Sequence, residues 1–281
     1  MIENIYEKDI RDTITDDIER NKYVLSRIIY FIDKICNKYG INYSISYGTL
    51  VGAVRDKNLI TWDLDGDVVM DQDSYLLFLE KAQAELPKYL FLQNSKTDPL
   101  FCSKSTFSRI VDFRSEVNPT SSRRICPNGI HCDIHCIMTD KEKYERIVKQ
   151  DNLFFFIKKI ITNAFICLGY LLTSLDFKRS IIQYLGYSLY LSFETVFITG
   201  KKYIDEVYLN YNLMDNEYIE LRDLHVKAPK QADGFLRRIY GDYMIVPKDE
   251  KILQQYKRIN SNTKLNRNPV FRLIYEKKVN K

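Results

Sequence analysis

Three aspartates alternate with other residues in a short acidic segment, Asp63-Leu-Asp-Gly-Asp67, which runs directly into the apolar residues Val68-Val-Met70. Side chains two positions apart on a β-strand project from the same face, so Asp65 and Asp67 would point together with Asp63 beside them. Such carboxylates repel one another unless a cation lies between them, and their hard oxygens suit Mg²⁺ or Mn²⁺. We therefore expect a divalent metal site, with an acidic surface turn as the alternative.

A second group of chemically capable side chains lies in Gly129-Ile-His-Cys-Asp-Ile-His-Cys-Ile-Met138. As a strand, this segment would present His131, Asp133 and His135 on one face and its cysteines on the other. Asp133 then supplies a third carboxylate to the metal site. Zinc is the lesser alternative, because the strand alternation separates the cysteines from the histidines, and structural zinc prefers ligand pairs offset by a turn or helix. The two histidines are given no catalytic role.

Candidate phosphate-binding residues precede the acidic segment and follow it. Gly48 and Thr49 stand where a strand is expected to end and a short helix to begin. A glycine there lets backbone N–H groups approach a phosphate, and a helix N-terminus favours negative charge, although a plain turn is the alternative. Arg55 and Arg109 are further candidates, because the planar guanidinium matches phosphate oxygens, with a surface ion pair as the alternative for each.

The elements expected to position these residues form an α/β core. Apolar residues at helical spacing predict a helix from Thr15 to Tyr39, capped by Gly40, and further helices at Leu50–Arg55 and Ser74–Leu86. Strand patterns occur after Asp65 and at Ile41–Tyr47, Tyr89–Gln93, Ser105–Arg114 and Ile130–Met138. This order predicts a mixed β-sheet flanked by helices, in the α/β (α+β) class.

The pattern changes near Asp140 to long stretches rich in Phe, Tyr, Ile and Leu. We expect a catalytic core over residues 1–140, a helical region over 141–263 and a basic tail over 264–281. The most apolar stretch, residues 153–172, is interrupted by two lysines, so we expect it to pack on the core or across a dimer interface rather than to span a membrane. A helix lying on the membrane surface is the alternative.

The charge distribution limits the classes of binding partner, and the cysteine usage indicates the cellular compartment. The net charge of +5 suits anionic small molecules or an anionic membrane surface. Lysine and arginine are interspersed with acidic residues, which argues against nucleic acid as a partner. The charged N-terminal segment has no apolar core typical of a signal peptide, and the six cysteines lack framework spacing. We therefore expect reduced thiols and a cytoplasmic protein, with the inner membrane face as a possible place of contact.

Four segments resemble motifs of the LicD family of phosphocholine transferases. Tyr47–Arg55 is similar to the family's G-T-L-L-G-A-V-R, and Ile60–Asp67 to its I-P-W-D-D-D-I-D. Gly129–Ile134 resembles a later G-I-x-x-D-I strand, and Phe235–Pro247 the closing Y-L-x-x-x-Y-G-D-Y-M-x-x-P. Leu64 replaces the central aspartate of the usual triplet, and the remaining D-x-D-x-D resembles the form found in fukutin-type ribitol-phosphate transferases.

The resemblance implies a nucleotidyltransferase fold and a metal-dependent transfer of phosphocholine from CDP-choline to a glycan hydroxyl, with release of CMP. It implies catalytic roles for Asp65, Asp67 and Asp133, with Asp63 as a further metal ligand and Mg²⁺ or Mn²⁺ as the cofactor. It also adds Trp62 and Asp242 to the donor-binding candidates. The acceptor would be a cell-surface glycan of the lipopolysaccharide or capsule type, which could be linked to a lipid.

Three other functions stay open at this point. The donor could carry another CDP-linked polyol or sugar phosphate. The enzyme could instead be a true nucleotidyltransferase that releases pyrophosphate from a triphosphate. A protein of a different class, a catalytically inactive glycan-binding protein that keeps only the fold, is the non-enzymatic alternative.

Overall fold

A five-stranded mixed sheet forms the centre of the computed structural model, which describes residues 5–63, 65–94, 97, 107–117, 129–137, 211–248 and 259–261. The nine described strands, in chain order, are β1 Ser44–Ile45, β2 Asp65–Asp71, β3 Leu90–Gln93, β4 Phe107–Asp112, β5 Glu116–Val117, β6 His131–Ile137, β7 Asn216–Leu221, β8 Leu224–Pro229 and β9 Ile259–Asn260. The central sheet has the order β1-β2-β6-β4-β3. Only β2 and β6 run parallel within it, which confirms the predicted mixed sheet.

The described α-helices are α1 Asp17–Tyr39, α2 Tyr47–Val51, α3 Gln72–Glu85 and α4 Ala232–Tyr240. The first three pack against the sheet, and α4 packs on α2. A turn of π-helix, Gly52–Asp56, continues α2. The side chain of Asp16 accepts a hydrogen bond from the Glu19 N–H at the start of α1, and Gly40, with φ of 66°, ends the helix as predicted. The first residue of α1 lies two positions beyond the predicted Thr15.

Helix α1 is held against the sheet by a row of apolar side chains. Ile28, Ile29 and Ile32 are fully buried. Burying an isoleucine contributes about 1.5–3 kcal/mol, so this row fixes the helix firmly on the sheet. The other face of α1 carries exposed ion pairs such as Lys34 with Glu7. The predicted amphipathic helix is therefore confirmed.

The strand predicted at Ile41–Tyr47 is shorter in the structure. Only Ser44 and Ile45 pair with β2, in antiparallel register. The Ile41 N–H donates to the carbonyl of Cys36 at 2.9 Å, so the chain is still completing the helix cap there. Tyr47 begins α2 with φ of 45°, which takes it out of the strand.

A β-hairpin of β7 and β8 lies where the sequence predicted helices over residues 141–263. The prediction was wrong at this hairpin, because buried Leu221 and Val226 alternate with exposed side chains in a two-residue period that marks strands. The hairpin joins the core next to β1, where Ser44 Oγ donates to the Leu213 carbonyl at 2.6 Å. The predicted boundary near residue 140, the apolar stretch 153–172 and the tail 264–281 lie outside the described residues.

The N-terminal segment is tied to the end of β4 by a buried ion pair. Nη1 and Nη2 of Arg11 donate to the two carboxylate oxygens of Asp112 at 2.7 and 2.5 Å. Both side chains are fully buried, and Nη1 also donates to the carbonyl of Ser261. One guanidinium therefore links three segments that are distant in the chain. No helix among the described residues is long and apolar enough to cross a membrane.

Candidate active site

Strand register brings the predicted site residues to one face of the sheet. In the parallel β2–β6 pair, Asp65 lies beside His131 and Asp67 lies beside Asp133. In the antiparallel β4–β6 pair, Arg109 lies beside Asp133. The side chains at the alternate positions of these strands project from the opposite face of the sheet, where Val68, Cys132 and Ile134 are fully buried in the core. The apolar face thus anchors the strands and leaves the polar face free for chemistry.

Two aspartates and one histidine converge on this polar face. One potential ligand atom from each of Asp65, His131 and Asp133 lies within 4.8 Å of the other two. His131 Nε2 is 3.5 Å from Asp65 Oδ2 and 3.8 Å from Asp133 Oδ1. Spacings of this order allow three donors to share one ion, and the carboxylate and imidazole chemistry fits a divalent cation.

The remaining predicted carboxylate of β2, Asp67, is engaged by a histidine. Nε2 of His135 lies 3.2 Å from Asp67 Oδ1. Burial raises the pKa of Asp67, and the charges of Asp65 and Asp133 raise it further, while the hydrogen bond from His135 opposes them. The negative charge on Asp67 is therefore only partly compensated by the protein, which favours a nearby cation.

Asp65 experiences the opposite net effect. Burial alone would raise its pKa, but the hydrogen bond and the charge of His131, with help from Arg109, lower the pKa below its usual value. Arg109 itself contacts Asp133, with Nε at 3.0 Å from Oδ1. The polar face thus carries a guanidinium beside its carboxylates, and this group offers donors that match phosphate oxygens.

Asp63 reaches the same region through a close approach to Gly48. A Cβ atom on Gly48 would lie 2.0 Å from Oδ2 of Asp63, so no other residue leaves this carboxylate in place. Thr49, next to it, is buried, and its Oγ1 accepts the backbone N–H of Asp67 at 2.9 Å. The Gly48-Thr49 pair therefore positions two of the aspartates, a role that the sequence did not indicate.

Replacing Gly48 by alanine should displace the Asp63 carboxylate and lower activity as much as Asp63→Ala does. The reason is steric, so the two changes act through one side chain and should not add. Activity of both single variants and the double variant is the measurement, with circular dichroism as the check on folding. Additive losses would show that Gly48 acts independently of Asp63.

The structure places Arg55 and Trp62 beside each other, directed toward the C-terminal motif. The Arg55 guanidinium binds the Asp56 carboxylate at 2.7 and 2.8 Å and lies 5.5 Å from the centre of the Trp62 ring. Its Nη1 donates to the backbone carbonyl of Tyr243 at 3.1 Å. In this structure Arg55 joins α2 to the segment after α4, and a phosphate contact by it stays a prediction.

Tyr240, at the end of α4, is a residue that sequence reasoning did not select. Phe235 and Leu236 are fully buried and fix α4, and Tyr240 follows Leu236 by four positions, so it points the same way. Burial raises the pKa of its hydroxyl, and so do the charges of Asp67, Asp63 and Asp65. Tyr240 is 47% exposed, and its side chain lies near enough to these carboxylates for their charge to act on its hydroxyl. Asp242 is exposed, and its carbonyl accepts the Ile245 N–H.

Tyr240→Phe is expected to lower kcat about tenfold to a hundredfold with an unchanged Tm, because a hydrogen bond from its hydroxyl to a bound donor phosphate would be worth about 1.5–3 kcal/mol. Steady-state kinetics and a thermal melt measure the two effects. The matched control is Tyr218→Phe on β7, whose hydroxyl donates to Asn37 on the exposed surface. Equal activity of the two variants would remove Tyr240 from the site.

Residues 40–118 match the family model described as LicD/FKTN/FKRP, nucleotidyltransferase domain. This segment is therefore similar to the LicD-family domain. A curated relative, the lipopolysaccharide cholinephosphotransferase LicD of Haemophilus influenzae, is 29% identical over 107 residues. That alignment covers 38% of this chain and 40% of the relative, so less than half of either protein is compared.

The residues that match the LicD family include some of the side chains on the polar face, and the others lie further along the chain. Asp63, Asp65, Asp67 and Arg109 lie within the matched residues. The histidines of β6, Asp133 and Tyr240 lie beyond residue 118 and reach the site through strand pairing and the packing of α4. Strand alternation predicted His131 on the same face as Asp133 but gave it no role, and its closeness to Asp65 depends on the pairing of β2 with β6.

Proposed function

We propose that this chain is a metal-dependent phosphotransferase that moves a phosphorylated small group from a CDP-linked donor to a sugar hydroxyl. The observation that carries the proposal is the convergence of Asp65, His131 and Asp133 in a chain with a segment similar to the LicD-family domain. CDP-choline is the first donor to test, because the curated relative is a cholinephosphotransferase. The acceptor would be a cell-surface glycan.

A divalent ion held by Asp65, His131 and Asp133 would neutralise charge on the donor diphosphate and favour departure of CMP. Asp63 would lie at the margin of the same site. Arg109, which already contacts Asp133, would offer a second positive group to the phosphate oxygens. These side chains bind and orient the donor, and they are held in place by the paired strands.

The transfer itself is an in-line displacement. The acceptor hydroxyl oxygen forms a bond to the distal phosphorus of the donor, the bond from that phosphorus to the CMP oxygen breaks, and the hydroxyl proton moves to a protein base. Asp133 lies against Arg109, whereas Asp67 lies against His135, which can take up a proton. We therefore assign proton acceptance to the Asp67–His135 pair.

The test is release of CMP by the purified full chain. The protein is incubated with Mn²⁺ or Mg²⁺ and, separately, CDP-choline, CDP-ribitol and CDP-glycerol, with and without a glycan acceptor. We expect CMP to appear with one donor, to increase with the acceptor, and to stop when EDTA removes the metal. Absence of CMP release from every donor, with a folded and metal-loaded protein, would contradict the proposal.

A nucleotidyltransferase reaction is the second candidate, because the matched family model is described as a nucleotidyltransferase domain. The same polar face would then act on a nucleoside triphosphate, and pyrophosphate would be released instead of CMP. Incubating the same preparation with CTP and phosphocholine separates the two reactions. Pyrophosphate production without CMP release from any CDP-linked donor would favour this second function.

A further inference from the structure

We infer that the metal site on this polar face selects a first-row transition dication over Mg²⁺, because Nε2 of His131 is one of its ligands. The inference rests on the proposed function for the presence of a metal, and it adds the identity of a ligand and the class of ion. It concerns three described side chains, those of Asp65, His131 and Asp133.

A hydrogen bond from Nδ1, the ring nitrogen other than the proposed ligand atom Nε2, fixes the orientation of the His131 ring. Nδ1 lies 2.8 Å from the carbonyl oxygen of Gly129, and a carbonyl can only accept, so Nδ1 carries the proton. In the neutral ring Nε2 then keeps its lone pair, as in histidines that bind metals. Gly129 is itself held tightly, since a Cβ atom there would lie 2.4 Å from the Asp112 carbonyl.

When a metal ion takes the place of the proton that His131 Nε2 shares with Asp65, this nitrogen faces the two carboxylates at distances that suit a shared ion. It is 3.5 Å from Asp65 Oδ2 and 3.8 Å from Asp133 Oδ1. Two donors each about 2.1 Å from an ion in tetrahedral geometry are separated by about 3.4 Å, so only small shifts are needed. The ring of His131 is 8% exposed and therefore has little freedom to turn away.

Asp133 has coordination capacity that the protein does not use. The residue is 9% exposed, and its Oδ1 accepts no well-aligned hydrogen bond, although Arg109 Nε lies 3.0 Å away as an ion pair. Each oxygen of an ionised carboxylate has two lone pairs, so Oδ1 can accept a metal ion beside the guanidinium. The Asp133 carboxylate can therefore bind a metal ion while it keeps its ion pair with Arg109.

The mixed donor set decides the class of ion. Mg²⁺ favours oxygen ligands in octahedral geometry and retains several waters, whereas imidazole nitrogen suits transition metals. Cys132 is fully buried on the opposite face of β6, so it adds no thiolate to this site. Two carboxylates and one imidazole therefore favour a first-row transition dication over Mg²⁺, and Mn²⁺ is the member of this class that serves as a spectroscopic probe.

The experiment measures Mn²⁺ binding to the full chain by electron paramagnetic resonance. Loss of the free-ion signal gives the affinity, and electron spin-echo modulation detects a coordinated ¹⁴N. We expect nitrogen modulation in the wild type that changes when histidine is labelled with ¹⁵N. His131→Asn should lose this modulation, bind Mn²⁺ at least about tenfold more weakly, and lose part of its preference over Mg²⁺. His225→Asn, at an exposed position of β8, should retain all three properties.

The outcomes separate this inference from the proposed function. Mn²⁺ bound without histidine nitrogen modulation overturns the inference and leaves a carboxylate metal site intact. Modulation that persists in His131→Asn but disappears in His135→Asn overturns the assignment to His131. Failure of the wild type to bind any Mn²⁺ overturns both. The ¹⁵N-labelled wild type decides nitrogen ligation even if the substituted chain does not fold.

Discussion

Asp65→Ala is expected to reduce phosphotransfer by at least about a hundredfold, roughly 3 kcal/mol, while the protein stays folded. Asp65 belongs to the converging metal-ligand group, and the favourable contact with His131 keeps its pKa low, so it offers a carboxylate rather than a carboxylic acid to the ion. Removing it takes away a ligand and a negative charge together. Turnover of CDP-choline and Mn²⁺ affinity should fall in parallel.

The control for this substitution is Asp73→Ala, in the first turn of α3 and exposed. It removes the same functional group from a neighbouring element without approaching the polar face. We expect its turnover and Mn²⁺ affinity to match those of the wild type. An Asp65→Ala variant with near-wild-type turnover would contradict the assignment of Asp65, whatever its effect on stability.

Arg11→Met is expected to lower the free energy of unfolding by about 3–5 kcal/mol, because it leaves the carboxylate of Asp112 buried without its cation. Both partners are fully buried, and the guanidinium donates to both oxygens of Asp112. Urea denaturation followed by circular dichroism measures the change. The exposed pair Lys230–Asp215 supplies the control, since Lys230→Met there should leave the urea midpoint unchanged.

Replacing both partners separates two causes of the lost stability: the carboxylate of Asp112 left without a cation, and the lost contacts of the Arg11 side chain. In the double variant Arg11→Met with Asp112→Leu the carboxylate that had lost its cation is also removed, so much of the lost stability should return. A double variant that is as unstable as Arg11→Met alone would show that the loss comes from the packing of the arginine side chain and from its bond to the Ser261 carbonyl.

The parts of the fold that the sequence predicted correctly are those with a strong local pattern. Helix α1 has an apolar repeat over about six turns and a glycine at its end, and in β6 polar side chains alternate with apolar ones along the sequence. The hairpin β7–β8 was missed, although Ile219 and Leu221 alternate with glutamates, because the preceding long apolar stretches suggested helices. Short strands carry less pattern than helices do, so neighbouring composition easily outweighs it.

Only part of the candidate site could be predicted from the sequence, because several of its contacts join segments that are distant in the chain. Alternation along β2 placed Asp65 and Asp67 on one face, since that relation lies within a single strand. The pairing of Asp65 with His131 depends on strand register between segments far apart in the chain, which no local pattern contains. Tyr240 reaches the carboxylates through the packing of α4, and the anchoring role of Thr49 depends on a hydrogen bond to β2. These are tertiary relations.

The position of the metal relative to the donor diphosphate is the central physical claim. A crystal of the full chain grown with Mn²⁺ and CDP-choline, with data collected at the manganese absorption edge, locates the ion directly. We expect an anomalous peak bonded to Asp65, His131 and Asp133 and in contact with a diphosphate oxygen. An ordered manganese peak away from these side chains, or a diphosphate bound elsewhere on the protein, would contradict the account.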